Sequence, residues 1–399
     1  MRELPLSAYN QKRENQEMRF SPMDTVNLLI KPASFCNIRC RYCFYADVAE
    51  HTDALRGLVM APETAEAVVR ETFAAAERLA VFGFQGGEPT LAGLDFFRRF
   101  LDLERKYAKP GVRVQHTIQT NGLLLDEEWA AFFQKNRFLV GLSMDGGKAM
   151  HDRFRADARG EGTWRRVRAA LDLLEKHGVE TNLLSVITGQ TAKHPEQFYR
   201  ELKATGCRFI QPIPCLDPLG SDGNEEYSLR PKQYGKFLTT LFDLWYRDWA
   251  AGDYVSIRPF DDYVHLLCGG VPSSCTAAGR CGQYLVVESD GTVYPCDFYT
   301  VSEWSLGNIR EKEIGELLSG ELAREFIRAG GGKPEECRTC PYYRACRGGC
   351  KRDYLPTLNH ERNRFCEAYK SFFSYAWERL GQAAAAELRA RRSLGGRGR

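Results

Sequence analysis

Three cysteines within eight residues constrain this chain more than any other feature. Cys36, Cys40 and Cys43 follow a C-x3-C-x2-C spacing. Thiolates bind soft metals, and such close spacing lets a single loop wrap around one site. Four cysteines would complete an iron–sulfur cluster, whereas three leave one iron open to a ligand that the protein does not supply. An open metal position is typical of a catalytic rather than a structural site.

A structural zinc site and three unrelated thiols are the alternatives for this motif. Zinc ligands usually come as two C-x2-C pairs, and no partner pair lies near Cys40 and Cys43. The apolar run at 26–30 predicts a buried strand that ends just before the loop. Metal and cofactor sites lie at such strand ends in α/β folds, which favours a catalytic cluster.

With aromatic Tyr42 before its last cysteine, the motif resembles that of the radical S-adenosylmethionine (SAM) superfamily. The resemblance implies a [4Fe–4S] cluster whose open iron is chelated by the amino and carboxylate groups of SAM, and it includes Tyr42 in the cofactor site. One electron then cleaves SAM to a 5′-deoxyadenosyl radical, which abstracts hydrogen from the substrate. A flavodoxin- or ferredoxin-type protein is the electron donor that this chemistry implies.

Length and composition exclude several other classes of protein. The 399 residues, 43% of them hydrophobic, suit one large or two to three small globular domains. The net charge of +3 is too small to indicate binding to nucleic acid or a membrane surface. We expect no transmembrane helix and no signal peptide, and hence a cytoplasmic protein. Because cytosolic thiols stay reduced, fourteen cysteines indicate metal rather than disulfides.

Strand-like and helix-like segments alternate through the first half of the chain. Strands are predicted at 26–30, 80–84, 112–119, 138–142, 181–187 and 208–213, and helices at 62–79, 94–107, 127–135, 163–177 and 195–205. This alternation favours an α/β fold with a parallel sheet and right-handed crossovers. Six units are too few for an eight-stranded barrel. They match the partial (β/α)6 barrel that the resemblance implies.

The segment Gly86-Gly87-Glu88-Pro89 follows the second predicted strand and resembles the superfamily's GGEP motif. That motif binds the SAM amino group, which implies cofactor contacts for Gly87 and Glu88. Glycines let backbone approach a ligand closely, and proline fixes the bend. Without the cysteine motif, the same four residues could be an ordinary turn.

Three further residues match positions that contact SAM in the closest relatives. The resemblance assigns Ser143 to the ribose, Arg155 to the carboxylate and, more weakly, Leu216 to the adenine. The alternatives are a turn serine, a solvated surface arginine and an ordinary core leucine.

A second cysteine-rich region contains nine cysteines between Cys268 and Cys366. Residues 283–287 and 292–294 flank an Asp-Gly turn and predict a hairpin. The spacing that follows resembles the SPASM domain, which holds two auxiliary [4Fe–4S] clusters; the alternative is a zinc ribbon. The resemblance implies that Cys275, Cys281, Cys296 and Cys350 bind the first auxiliary cluster and that Cys337, Cys340, Cys346 and Cys366 bind the second.

These assignments use eleven of the fourteen cysteines. We assign Cys207, Cys215 and Cys268 no ligand role, because a free cysteine is most often a small buried apolar residue. The predicted domains are a flexible lead-in at 1–24, the barrel with a connecting helix at 25–265, the SPASM domain at 266–370, and a helix with a basic tail at 371–399.

Within the SPASM group, the chain most resembles the anaerobic sulfatase-maturating enzymes. The resemblance rests on the segments at 43–45, 84–91, 119–122, 143–146, 151–152 and 294–297. These enzymes oxidise a Cys or Ser of a sulfatase to Cα-formylglycine. The resemblance makes Asp297 the general base and places Tyr45 and Gln85 against the substrate peptide. For Asp297 the alternative is a turn aspartate beside a cluster ligand.

We expect the substrate to be an unfolded sulfatase segment with a Cys/Ser-x-Pro/Ala-x-Arg motif, because a barrel interior cannot admit a folded domain. One rival function is a SPASM enzyme that forms thioether or carbon–carbon crosslinks in peptides. Such enzymes often carry an added N-terminal recognition domain, and only residues 1–24 precede the first strand here. The other rival is a non-catalytic iron–sulfur electron carrier, which would not need the GGEP motif, Ser143 or Arg155.

Overall fold

The computed structural model describes residues 23–52, 57–221, 223–354 and 362–395. Their strands, numbered along the chain, are β1 (Met23–Ile30), β2 (Ile38–Cys40), β3 (Ala76–Phe84), β4 (Arg113–Thr120), β5 (Leu139–Ser143), β6 (Arg155–Asp157), β7 (Thr181–Ile187), β8 (Phe209–Pro214), β9 (Ser256–Ile257), β10 (Leu285–Val287), β11 (Thr292–Tyr294) and β12 (Gly307–Asn308). The helices are α1 (Phe44–Val48), α2 (Pro62–Ala75), α3 (Leu94–Tyr107), α4 (Glu127–Lys135), α5 (Lys148–Phe154), α6 (Trp164–Lys176), α7 (Pro195–Lys203), α8 (Pro231–Ala250), α9 (Arg258–Leu267), α10 (Cys275–Ala278), α11 (Ile314–Ser319), α12 (Glu321–Gly331), α13 (Glu335–Thr339), α14 (Tyr343–Cys346) and α15 (Cys366–Gly395).

One mixed sheet of ten strands forms the centre of the described structure. Strands β1, β3, β4, β5, β7, β8 and β9 are neighbours in that order and run parallel. Strand β10 pairs with the free edge of β1, also in parallel, and the antiparallel strands β11 and β12 continue the sheet. Strands β2 and β6 form a separate antiparallel ribbon.

All six predicted parallel strands are present, and the predicted hairpin is β10–β11. The α/β class and the partial barrel followed by a cysteine-rich region are confirmed. The sequence did not predict that the hairpin joins the barrel sheet by pairing with β1. A parallel edge strand has unpaired backbone groups, and β10 covers those of β1.

One predicted helix boundary is wrong. The helix predicted at 62–79 ends at Ala75, and residues from Ala76 to Leu79 are extended as the start of β3. They pair with the start of β1, with Met23 opposite Ala76 and Thr25 opposite Leu79. Tertiary pairing therefore overrides the helical preference of this Ala-rich segment. The other four predicted helices of the barrel agree with the structure within two residues.

Helix α8 supplies much of the core on one side of the sheet. Its residues Phe237, Leu241 and Trp245 are almost completely buried. The long helix α15 packs along α8, and the rings of Phe242 and Phe372 meet edge to face with centroids 5.7 Å apart. Burying a Phe side chain stabilises a fold by about 1.5–3 kcal/mol, so α15 is an integral part of the core.

Several predicted boundaries fall inside elements. The boundaries at 265/266 and 370/371 lie within α9 and α15, and β1 begins at Met23, inside the predicted lead-in. The rest of the lead-in and residues 396–399 of the predicted tail lie outside the described residues. None of the described helices combines the length and the apolar character that crossing a membrane requires.

Candidate active site

The loop with the three closely spaced cysteines begins directly after β1, at the end of the parallel strands where barrel enzymes build their sites. Cys40 ends β2, and Cys43 immediately precedes α1. Burial raises the pKa of the Cys40 thiol to about 12; Arg155 opposes this rise, and the nearby Cys43 and Cys36 thiols add to it. The structure thus brings all three predicted ligands together beside a guanidinium.

The GGEP segment packs directly against this cysteine loop. Gly87 has φ of +59°, and a Cβ atom there would lie 2.3 Å from the Ala33 carbonyl oxygen and 2.6 Å from that of Phe35. The Glu88 N–H donates to the same Phe35 oxygen at 2.8 Å. Only glycine allows two backbones to approach so closely in this conformation.

The Glu88 carboxylate holds the ends of two strands together. It accepts hydrogen bonds from the backbone N–H and hydroxyl of Thr90 at 3.1 and 2.7 Å, from the Thr120 hydroxyl at 2.7 Å and from the Asn121 N–H at 2.8 Å. Burial raises the pKa of Glu88, and these hydrogen bonds oppose the rise. Both carboxylate oxygens are therefore engaged within the protein, three hydrogen bonds reaching Oε1 and one reaching Oε2.

Tyr42 and Arg155 belong to one buried polar group. The Tyr42 hydroxyl donates to the Asp145 carboxylate and accepts from Arg155 Nη1 at 3.1 Å. Arg155 is only 6% exposed, so the alternative of a solvated surface arginine is wrong. Its Nε is buried and has no hydrogen-bond acceptor among the described residues. A buried guanidinium N–H without an acceptor is costly unless a ligand supplies one.

A neutral histidine fixes the backbone of Arg155. The Asp145 N–H donates to His151 Nδ1 at 3.3 Å, so Nε2 carries the ring proton and donates to the Thr163 hydroxyl at 2.9 Å. That hydroxyl in turn donates to the Arg155 carbonyl oxygen at 3.0 Å. Burial lowers the pKa of His151 to about 2, and the nearby Arg155 charge adds to this effect. The histidine therefore stays neutral at physiological pH.

A cavity of about 850 Å³ joins the cysteine loop to the ends of the parallel strands. Ser143 ends β5, and its hydroxyl accepts a hydrogen bond from Gln119 Nε2 at 2.9 Å. Leu216 lies just beyond β8. Every residue predicted to contact SAM lines this cavity: Tyr42, Gly87, Glu88, Ser143, Arg155 and Leu216.

The donor set of the cavity fits an iron–sulfur cluster with SAM. Three thiols converge, as three-cysteine ligation of a four-iron cluster requires. The free N–H of Arg155 suits a carboxylate, and the Ser143 hydroxyl suits a ribose.

Three predicted substrate and catalytic residues form one hydrogen-bonded network. Gln85 Nε2 donates to the Tyr45 hydroxyl at 2.9 Å, and that hydroxyl donates to Asp297 Oδ2 at 3.4 Å. The other oxygen, Oδ1, accepts from the Tyr284 hydroxyl at 2.5 Å. Tyr45 and Gln85 line the cavity, and Asp297, 6% exposed, lies directly behind Tyr45. Burial raises the pKa of Asp297, and the phenol hydrogen bonds oppose the rise.

The four cysteines predicted for the first auxiliary cluster also meet. Cys275 begins α10, and Cys296 follows β11. Burial raises the pKa of the Cys350 thiol, and the nearby thiols of Cys275 and Cys281 raise it further. Cys350 in turn raises the pKa of Cys296, whose largest shift comes from burial. These four thiols, although far apart in the sequence, therefore lie close to one another.

The second auxiliary set surrounds a cavity of about 30 Å³, lined by Cys337, Cys340, Cys346 and Cys366. Burial raises the pKa of Cys346 to about 11, and the other three thiols add to the rise. No three Cys, His, Asp or Glu side chains within the described ranges converge as they would around a single metal ion. The thiols instead enclose a space, as a multi-iron cluster requires.

Sequence reasoning missed several residues of the site. Lys31 lines the cavity, pairs with buried Glu288 and lies 5.1 Å from the centroid of the Tyr45 ring. Asn121 Nδ2 donates to Cys36 Sγ at 3.7 Å. Asn121 could have been found, because it belongs to the segment at 119–122 that supports the family resemblance. No motif marks Lys31 or Tyr284.

The three cysteines without an assigned ligand role occupy different surroundings. Cys207 and Cys215 are buried, at 7% and 1% exposure, and Cys215 also lines the main cavity. Cys268 is half-buried, and its thiol donates to the Ala384 carbonyl oxygen at 3.4 Å. Their lack of a ligand role stays a prediction.

Two family models match the chain: the radical SAM superfamily over residues 30–202 and an iron–sulfur cluster-binding domain, SPASM, over residues 275–341. A cysteine-type anaerobic sulfatase-maturating enzyme of Clostridium perfringens (strain 13 / Type A) is 44% identical over 362 residues, which cover 90% of this chain and 98% of the relative. A serine-type anaerobic sulfatase-maturating enzyme of Bacteroides thetaiotaomicron is 32% identical, covering 87% of this chain and 88% of that protein.

Solved structures agree with these matches. Native anSMEcpe with bound AdoMet and Cp18Cys peptide superposes with a TM-score of 0.86 at 43% identity, covering 91% of this chain and 99% of that one. SuiB of Streptococcus suis, bound to its precursor peptide SuiA, superposes with a TM-score of 0.58 at 15% identity, covering 90% of this chain and 78% of that one, which is a likeness of fold alone.

The partial barrel, its three-cysteine loop and the second cysteine-rich region define a radical SAM enzyme with a SPASM domain. Within that superfamily, the chain belongs to the anaerobic sulfatase-maturating enzymes.

Proposed function

We propose that this enzyme oxidises a Cys or Ser residue in an unfolded sulfatase chain to Cα-formylglycine, starting with hydrogen abstraction from the side-chain Cβ. The observation that carries the proposal is the network of Gln85, Tyr45 and Asp297. It links the wall of the main cavity to Cys296, a candidate ligand of the first auxiliary cluster.

The proposal includes three [4Fe–4S] clusters, and each of the three cysteine sets supports one of them. Bound there with SAM, the clusters would supply the 5′-deoxyadenosyl radical and an acceptor for the second electron. The candidate ligands are Cys36, Cys40 and Cys43 for the cluster that binds SAM, Cys275, Cys281, Cys296 and Cys350 for the first auxiliary cluster, and Cys337, Cys340, Cys346 and Cys366 for the second.

The cavity residues would hold SAM in one orientation. The free Nε–H of Arg155 supports a hydrogen bond to the SAM carboxylate, and the backbone of Gly87 and Glu88 is accessible to its amino group. Ser143 would bind the ribose, and Leu216 would cover the adenine. Tyr42 would act mainly by holding Arg155 in place, since its hydroxyl is already hydrogen-bonded twice.

Asp297 would accept the proton that the substrate thiol or hydroxyl loses. A general base is most effective when its pKa lies close to the working pH, and burial raises the pKa of Asp297 in that direction. Tyr45 and Gln85 would bind the peptide from the cavity wall, and Tyr284 would orient the base.

The oxidation would balance as the loss of one hydrogen atom from Cβ, one proton to Asp297 and one electron, for which a cluster held by Cys275, Cys281, Cys296 and Cys350 would be the acceptor. A Ser target gives the aldehyde directly. A Cys target gives a thioaldehyde, which water hydrolyses with release of hydrogen sulfide. A flavodoxin- or ferredoxin-type protein would supply the electron that cleaves SAM.

The relatives favour this function over the formation of crosslinks. Cysteine-type and serine-type sulfatase-maturating enzymes are 32–44% identical over nearly the whole chain. SuiB resembles the chain in fold only. The greater identity to the cysteine-type enzymes favours a Cys target as the first substrate to examine.

The test is an anaerobic incubation of the cluster-loaded enzyme with SAM, dithionite and two peptides that differ only in Cys or Ser within a Cys/Ser-x-Pro-x-Arg motif. Mass spectrometry should show the loss of two hydrogens from the Ser peptide. The Cys peptide should lose two hydrogens and exchange sulfur for oxygen. Iron analysis should give about twelve irons per chain, since each cluster holds four. Unchanged masses for both peptides, or an intramolecular crosslink, would contradict the proposal.

Asp297→Asn tests the role of the base. Because general base catalysis contributes about 10²–10⁴-fold, peptide oxidation should fall by that factor while SAM cleavage continues. Asp102→Asn, at a carboxylate on the surface of α3 that is 64% exposed, is the matched control and should keep both activities. Equal loss of peptide oxidation and SAM cleavage in Asp297→Asn would contradict the assigned role.

A further inference from the structure

Two lysines border the auxiliary cysteines, and neither belongs to the predicted site. Lys333 lies before α13, and its ammonium donates to the carbonyl oxygens of Gly330 at 3.2 Å and Gly349 at 3.3 Å. Its Nζ also lies 5.1 Å from the centroid of the Tyr354 ring. These contacts tie the half-buried ammonium to one place.

The Lys333 ammonium lies between the two sets of auxiliary cysteines. Gly330 packs so tightly on Cys281 that a Cβ at this glycine would lie 2.2 Å from the sulfur. Gly349 immediately precedes Cys350 and lies three residues after Cys346. Of the two carbonyl groups that hold the Lys333 ammonium, one therefore belongs to a glycine packed on a cysteine of the first set, and the other lies between Cys346 of the second set and Cys350 of the first.

The electrostatic neighbours of Lys333 agree with this position. Burial lowers the pKa of the Lys333 ammonium, and four thiols raise it: Cys281 and Cys350 from the first set, and Cys337 and Cys346 from the second. The charge of this single side chain thus acts on both sets.

Lys351 gives a contrast, because the thiols that act most strongly on its charge belong to the first set. Its ammonium lies over three aromatic rings, 3.9 Å from the centroid of Phe326, 4.4 Å from that of Trp304 and 4.9 Å from that of Tyr299. Burial lowers the pKa of Lys351, and the thiols that oppose this shift are Cys281, Cys296 and Cys350, all members of the first set.

Within the described ranges no Asp or Glu oxygen lies within 4.0 Å of either nitrogen, and the carboxylate that acts on Lys351 from farther away is that of Glu325. A four-iron cluster with four thiolates carries a net negative charge, which increases by one on reduction. A fixed cation nearby stabilises the reduced form more than the oxidised form and raises the reduction potential.

We propose that Lys333 is a fixed cation shared by the two auxiliary clusters, which raises both reduction potentials together and so makes each cluster a better acceptor of the electron that the substrate loses. Lys351 raises the potential of the first cluster alone. The proposal rests on the proposed function in one respect, namely that both cysteine sets hold clusters. It assigns Lys333 no contact with SAM or with the peptide.

The experiment is a potentiometric titration of the holoenzyme followed by electron paramagnetic resonance. The signal of the SAM-binding cluster is identified by its change on addition of SAM, which leaves two auxiliary signals to follow. Lys333→Gln removes the charge and keeps a hydrogen-bond donor, Lys333→Arg keeps the charge, and Lys351→Gln is the matched control on the first cluster.

Lys333→Gln should make reduction of both auxiliary clusters at least tenfold less favourable, which is about 59 mV for one electron. Lys351→Gln should shift one signal only, and Lys333→Arg should keep both close to wild type. If Lys333→Gln does not take up the auxiliary clusters, the iron content per chain is measured instead. Loss of both auxiliary clusters in Lys333→Gln, with both retained in Lys333→Arg, supports the proposal. Loss of only one cluster overturns it.

Unchanged potentials in Lys333→Gln, or a shift confined to one cluster, would also overturn it. These outcomes differ from a failure of the proposed function. If the proposed function fails, the wild-type enzyme itself lacks auxiliary signals or leaves the sulfatase peptide unchanged. If only the role of Lys333 fails, the wild-type enzyme shows both auxiliary signals and oxidises the peptide.

Discussion

Gly87→Ala tests whether the contact between the GGEP segment and the cysteine loop controls SAM chemistry. An alanine here would have φ near +59°, which costs an L-residue about 1–2 kcal/mol. It would also place Cβ 2.3 Å from the Ala33 oxygen and 2.6 Å from the Phe35 oxygen, where ordinary contact begins at 3.4 Å. The two backbones must therefore separate by about 1 Å, which a close-packed interior resists.

The expected result is a loss of SAM cleavage of about 10²-fold, because a displacement of 1 Å near reacting groups has an effect of that size. Phe35 immediately precedes Cys36, so the displacement reaches the candidate cluster ligands directly. The assay is the initial rate of 5′-deoxyadenosine formation with dithionite, measured by chromatography and normalised to iron content.

Gly178→Ala is the matched control for backbone strain. Gly178 follows α6 with φ of +64°, and a Cβ there would meet nothing within 4 Å. This variant carries the same backbone strain without the clash, so its rate of SAM cleavage should remain close to wild type. The reasoning is refuted if Gly87→Ala cleaves SAM at the wild-type rate, or if Gly178→Ala loses as much activity.

Two further predictions concern the buried group around Arg155. Arg155→Lys keeps the charge but loses the free Nε–H, so SAM binding measured by equilibrium dialysis should weaken by about 10–100-fold, from the 1.5–3 kcal/mol of a charged hydrogen bond. Arg166→Lys, on an exposed face of α6, should bind SAM as wild type does, and equal affinities in both variants would contradict this role. The pKa of His151 is about 2 in the folded protein and 6.5 for an ordinary histidine. As the pH falls through 6.5, the unfolded chain therefore binds a proton that the folded protein does not, and the free energy of unfolding decreases. Between pH 7.5 and 5.5, wild type should lose about 1.4 kcal/mol more unfolding free energy than His151→Gln in denaturant titrations, and parallel losses would show that the imidazole titrates in the folded state.

Several features of this enzyme could be predicted from the sequence because they depend on nearby residues. The C-x3-C-x2-C motif places three candidate ligands in one loop, and a loop of that length has few other ways to arrange three thiols. The helix Leu94–Tyr107 and the strand Thr181–Ile187 follow from hydrophobic periodicity. The hairpin that precedes Cys296 follows from its Asp-Gly turn.

Other features depend on contacts between residues far apart in the sequence, and these contacts form only when the sheet forms. Tyr45 meets Asp297 across 252 residues of sequence, and no local pattern marks Tyr284 as the second partner of that carboxylate. The helix predicted to reach Leu79 stops at Ala75, since pairing with β1 stabilises the extended form more than local preference stabilises the helix.

The sequence by itself determined the order of the strands and helices and predicted three sets of candidate cluster ligands, because cysteine spacing and periodicity are properties of short segments. Only the tertiary structure decided that the hairpin joins β1, that Glu88 links β3 to β4, and that Lys333 lies between two sets of cysteines. The physical reason is that burial and long-range hydrogen bonds arise from the packing of the whole sheet, which short segments of sequence do not encode.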